Sequence, residues 1–125
     1  MTSDENTTII ELKNSIRNFI EERDWSKYHK PKDLAISISI ESSELLEIFQ
    51  WLKDEEIDYQ LKESNLIDKI REELSDIMIY CISLSNILNL DLSKAILEKI
   101  ESNRAKYPVE KVKGAYKKPD EKLNG

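Results

Sequence analysis

Two acidic pairs stand out for their spacing: Glu41 with Glu44, and Glu73 with Asp76. Each pair is i, i+3, which places both carboxylates one turn apart on the same face of a helix. On a wheel of about 100° per residue counted from Leu34, the residues Leu34, Ile38, Leu45, Ile48, Phe49 and Leu52 share one apolar arc. Glu41 falls at about 340°, inside that arc, and Glu44 at about 280°, on its edge beside Trp51. Counted from Leu66, the residues Leu66, Ile70, Ile77, Cys81, Leu84, Ile87 and Leu88 form a second arc. There Glu73 takes about 340° and Asp76 about 280°. One Glu-x-x-Glu on a charge-rich helix is ordinarily solvated surface. Two matched pairs, each with an acid inside the apolar arc, point to a site.

Carboxylates are seldom buried alone, because removing each charge from water costs several kcal/mol even after relaxation. Four converging acids would repel and could not all stay ionised unaided. Neither face carries a basic partner, whereas divalent cations with a preference for oxygen, Mg²⁺ or Mn²⁺, would resolve the conflict. Di-iron bundles place Glu-x-x-His on two helices, and neither helix here carries a histidine. Zinc lacks its usual nitrogen and sulfur ligands. Mg²⁺ bound by acids alone commonly retains waters and shares a phosphate, so the expected chemistry is phosphoryl transfer to water. Glu47, Glu55, Glu56, Glu72 and Glu98 are assigned to solvated faces.

The elements that must position these acids are helices. Periodicity predicts four, over about residues 7–23, 32–52, 65–88 and 92–106, the last capped by Asp91 and stopped before Pro108. Residues 24–31 break the first helix from the second, and 53–63 reads as a loop or short helical turn. Residues 1–6 are expected to be flexible, 7–107 to form the helical core, and 108–125 to be an extended basic tail. The fold class is therefore all-α, an antiparallel bundle of about four helices in a single domain over 1–125. Two glycines and three prolines leave few tight turns, which argues against hairpin-rich sheets. The formal net charge of −6 opposes binding of DNA or RNA polymers. A single cysteine, Cys81, excludes an internal disulfide and fits a reducing cytoplasm. The N-terminus lacks signal-peptide features, and no apolar run is long enough for a membrane. Ile36, Ile40 and Trp51 lie outside the main stripe of the second helix, so a homo-oligomer, dimer or tetramer, is expected.

The motifs resemble those of the MazG-like all-α nucleoside triphosphate pyrophosphohydrolases, and within them the dCTP pyrophosphatase branch. The resemblance is carried by Glu41-Ser-Ser-Glu44, Glu73-Leu-Ser-Asp76 and five ordered runs. These are Phe19–Trp25, His29-x-Pro31, Glu41–Trp51, Glu72–Tyr80 and Asn103–Pro108. It implies that Glu41, Glu44, Glu73 and Asp76 hold Mg²⁺, and that Trp25, Lys27, Tyr28, His29, Trp51 and Tyr80 line a nucleotide pocket. The substrate it implies is a (d)NTP, dCTP or a related pyrimidine dNTP, cut by water at the α-phosphorus to (d)NMP and pyrophosphate. Glu41 or Glu44 would take the proton, and the spacing does not choose between them. At Ile16 the chain departs from the polar, substrate-facing residue the resemblance leads one to expect. Between Lys99 and Lys118 seven basic residues (Lys99, Arg104, Lys106, Lys111, Lys113, Lys117, Lys118) face two acids, Glu101 and Glu110. Asn103, Arg104 and Lys106 are candidates to reach the triphosphate. Two other classes stay open on the residues alone: a non-catalytic helical interaction module and a metal-storage bundle.

Overall fold

The computed structural model describes residues 1–116, which are helical throughout apart from connections. The helices are α1 (Ile9–Glu22), α2 (Pro31–Phe49), α3 (Asp54–Glu63), α4 (Leu66–Ile87), α5 (Leu92–Lys106) and α6 (Val109–Val112), with a 3₁₀ turn at Ser26–Tyr28. No strand occurs among the described residues.

Local chemistry accounts for most boundaries. Thr8 opens α1 with a capping box: its hydroxyl accepts from the Glu11 N–H at 3.2 Å, and the Glu11 carboxylate accepts from the Thr8 N–H at 2.7 Å. The helix stops where Asp24 takes a φ of 53°. Pro31 starts α2 at a position that needs no N–H donor. Asn89, at φ 52°, turns the chain after α4, and the Asp91 carboxylate caps α5 by accepting from the Lys94 N–H at 3.0 Å.

Two expectations are corrected, over residues 54–63 and after Pro108. Residues 54–63 form a full helix, α3, rather than a loop. Asp54, Glu55 and Glu56 in its first turn and Lys62 in its last oppose the helix dipole favourably. Its apolar signal was weak because only Ile57 and Gln60 are half-buried, while Tyr59 and Leu61 stay exposed. Residues 1–6 include an ordered turn, in which Asn6 accepts from the Ser3 N–H at 2.9 Å and donates to the Met1 carbonyl at 2.7 Å. The stretch after Pro108 begins as the helical turn α6. Lys117 and Lys118 lie outside the described residues.

The chain packs as two units, Met1–Leu90 and a second beginning at Asp91. Within the first, α4 is the element that α1, α2 and α3 all touch. Its partners run against it. Lys13 on α1 donates to the Leu90 carbonyl, and Arg17, further along, meets Asn86. His29, just before α2, stacks on Tyr80, and Glu41 lies by Glu73 and Asp76. Leu34, Leu66 and Ile82 are the buried apolar residues among those described, joined by Ser83 and Ser85. Ile87 and Leu88, placed on the buried stripe by periodicity, are exposed. The six residues from Cys81 to Asn86 are all at least half-buried, so α4 is enclosed nearly all round there and a single stripe no longer describes it.

Candidate active site

The antiparallel run of α2 and α4 brings Glu41 to the level of Glu73 and Asp76. One carboxylate oxygen from each of these three lies within 4.8 Å of the others. Glu44 lies one turn beyond Glu41 on α2, and its charge acts on both Glu41 and Glu73. Glu41 Oε2 and Glu73 Oε2 are buried with no hydrogen-bond partner. The ion pairs among the described residues (Arg23–Glu22, Lys27–Asp24, Lys94–Glu98, Arg104–Glu101) involve none of the four acids.

The electrostatics follow. Burial, hydrogen bonding to Glu44 and Glu73, and the charges of Glu44 and Asp76 push the Glu41 carboxyl up to about 7. Burial chiefly raises Glu73 as well, with the neighbouring Glu41 opposing the rise and Glu44 and Asp76 adding to it. An all-carboxylate donor set with buried, unpartnered oxygens suits a hard divalent cation, and the residues present fit Mg²⁺ or Mn²⁺.

The aromatic candidates divide. His29 and Tyr80 come together, their rings 6.5 Å apart at 22°, with His29 Nδ1 2.8 Å from the Trp25 carbonyl. Tyr80 follows Asp76 by one turn of α4. Trp25 instead packs edge-on against Phe19 at 5.8 Å, and the Arg23 guanidinium covers both rings. Lys27 pairs with Asp24 at 3.4 Å and lies over the ring of Tyr28, which is otherwise exposed. Trp51, just past α2, is 85% exposed, so it is not core packing in this chain. In the second unit, Asn103 and Lys106 line a cavity of about 690 Å³ with Lys99, Tyr107 and Tyr116. Arg104 is engaged by Glu101.

A polar cluster between α1 and α4 escaped the sequence reading. Arg17 donates to Asn14 Oδ1 and to Asn86 Oδ1, each at 3.2 Å, and Asn86 Nδ2 donates to the Lys13 carbonyl at 3.0 Å. Ser83 lies beside them, 2% exposed, its hydroxyl unpartnered. The available signal was the run Ser83, Ser85, Asn86, polar residues within the most apolar stretch of α4.

Against known proteins, residues 36–121 match the MazG-like family. The chain belongs to the MazG-like family. Curated relatives of this MazG-like protein include dCTP pyrophosphatase 1 of Bos taurus, 37% identical over 108 residues, covering 86% of this chain and 64% of that protein. The Homo sapiens protein of the same name is 33% identical over 118 residues, covering 94% of this chain and 69% of the relative. The chain thus spans just under two thirds of the bovine protein's length. A solved pyrophosphatase from Archaeoglobus fulgidus DSM 4304 superimposes with a TM-score of 0.74 at 37% identity, over 86% of this chain and 99% of that one. No helix among the described residues is long and apolar enough to cross a membrane.

Proposed function

We propose that this MazG-like protein is a Mg²⁺-dependent nucleotide pyrophosphohydrolase acting on a (d)NTP, with dCTP or a related pyrimidine dNTP as substrate. The observation that carries this is the meeting of Glu41, Glu73 and Asp76, with two buried oxygens that have no hydrogen-bond partner; Glu44, one turn from Glu41, is assigned to the same site. The names of the relatives, dCTP pyrophosphatase and pyrophosphatase, support it.

In this reading the four carboxylates would hold the cation, which when bound would neutralise charge on the triphosphate and acidify nearby water. An O–P bond forms from water to the α-phosphorus and the bond from that phosphorus to the bridging oxygen breaks, giving (d)NMP and pyrophosphate. Glu41 or Glu44 takes the proton that the water loses. Tyr80 and His29 offer stacked faces beyond the acids for sugar and base, while Trp25, Lys27, Tyr28 and Trp51 supply the rim. Asn103 and Lys106 are the donors assigned to the phosphates.

Exposed apolar residues on α2 (Ile36, Ile40, Leu46) and Trp51 support assembly as a homo-oligomer, dimer or tetramer. We place the activity in the cytoplasm, in keeping with the lone Cys81. The test is a panel of NTPs and dNTPs assayed for pyrophosphate with and without Mg²⁺. Pyrophosphate from a pyrimidine dNTP is expected, lowered about 100-fold or more by Glu73→Gln. Release of orthophosphate alone, or undiminished turnover in Glu73→Gln, would refute the proposal.

A further inference from the structure

A cavity of about 140 Å³ lies between α1, the 3₁₀ turn and α4, lined by Arg17, Ile20, His29, Ser83, Asn86 and Ile87 among others. Its wall contains a group the fold leaves unsatisfied. Ser85 donates to the Ile82 carbonyl at 2.7 Å, as helical serines commonly do toward the preceding turn, but the buried Ser83 hydroxyl has no partner. An orphaned buried hydroxyl destabilises a protein unless something else pairs with it.

Arg17 has a related character. Its guanidinium is held by two neutral amide oxygens, Asn14 Oδ1 and Asn86 Oδ1, and takes part in none of the ion pairs among the described residues. Asn86 is itself braced by the Lys13 carbonyl. Two of the five N–H groups of Arg17 are used, so three remain for a ligand. The cluster is thus a pre-oriented donor beside an unpaired hydroxyl, flanked by the apolar sides of Ile20 and Ile87.

Position on α4 indicates what would enter. Asp76, Tyr80 and Ser83 descend one edge of the helix at successive turns. From Asp76 to Ser83 is about 10 Å along the axis, comparable to the span from an α-phosphate to the polar edge of its base. Size narrows the choice, since a cavity of about 150 Å³ takes a single six-membered ring such as benzene.

We infer that Arg17, fixed by Asn86, together with Ser83, forms the base-reading end of the nucleotide site and selects a pyrimidine ring. This rests on the acidic cluster being where the phosphates are held. Arg17 donates to the O2 carbonyl that every pyrimidine carries, the Ser83 hydroxyl pairs with the neighbouring ring edge, and Ile20 and Ile87 border the ring. None of the three residues carries out the bond-breaking step; they decide which base is accepted.

The experiment uses nucleosides without phosphates or metal, so that binding in the cavity is read apart from catalysis. Amide shifts of the full chain are followed on titration with 2′-deoxycytidine, thymidine and 2′-deoxyadenosine. Both pyrimidine nucleosides are expected to move signals from residues 17–29 and 80–87, and deoxyadenosine to leave them in place. Ser83→Ala is expected to weaken deoxycytidine binding about 5–10-fold while its ligand-free unfolding midpoint holds or rises, because an unsatisfied group has been removed. Arg17→Met is expected to weaken it as well. Equal binding of deoxyadenosine, or a Ser83→Ala protein that is less stable yet binds unchanged, would overturn the inference. Pyrimidine binding without pyrophosphate release from the triphosphate would support the cavity and refute the catalytic reading. Pyrophosphate release with no nucleoside preference would do the reverse.

Discussion

Glu41 and Glu73 each keep one oxygen buried and unpaired, and that arrangement has a pH signature. The Glu41 carboxyl, with an ordinary value of 4.5, is raised to about 7 in the fold. Between those values the folded chain binds a proton that the unfolded chain has released, so stability falls as pH rises. The contribution is complete below 4.5 and lost as pH passes through about 7. Thermal unfolding of the metal-free protein is therefore expected to show a higher midpoint near the acid end of that window than above it. Glu41→Gln should flatten the slope, and millimolar Mg²⁺ should restore stability above pH 7 by binding the folded state alone. A metal-free midpoint that climbs steadily with pH and ignores Mg²⁺ would count against the cluster. The acids were legible because the helical wheel placed an acid within each apolar arc. Arg17, Ser83 and Asn86 were not, since the bond from Arg17 to Asn86 joins positions 69 residues apart and no local pattern announces it.

Among the elements, caps and helix ends were the most readable features. Asp91 caps α5 as its side-chain chemistry predicts. The Thr8–Glu11 box does the same for α1, the helix that carries Arg17. Thr8→Ala is expected to lower unfolding free energy by about 1 kcal/mol, measured by urea denaturation. Ser15→Ala, at an exposed interior position of the same helix, should be neutral or slightly stabilising, Ala having the higher helix propensity. Equal effects at both positions would show that the cap adds nothing. Helix α3 was missed because its hydrophobic face is narrow, and its stability draws on charge placement and contact with α4. The end of α4 was misjudged for the opposite reason: several partners enclose it, so Ser83 and Ser85 are buried while Ile87 is not.

At the scale of the molecule, the apolar surface left open is the main fact. Ile36 and Ile40 on α2 are 48% and 53% exposed, and Trp51 is 85% exposed. Isolated exposed apolar residues are common, but several occur on this one helix and just beyond it, and the proposed homo-oligomer would cover them. Ile40→Glu is expected to shift the sedimenting mass toward that of one chain, because a charge there would be desolvated on association. A wild-type mass equal to one chain would remove the oligomer from the proposal.

By itself the sequence determined the helical class and the span of the long helices, and it singled out the four acids as candidates. Each of these depends on periodicity and side-chain chemistry within a few turns. Only the tertiary structure decided that the acids share one place, that His29 meets Tyr80, and that Arg17 and Asn86 frame a cavity with an orphaned serine. Those relations join residues far apart in the chain. They depend on the register at which α1 and α2 pack on α4, which is set by how whole helix surfaces fit and not by any one residue's preference.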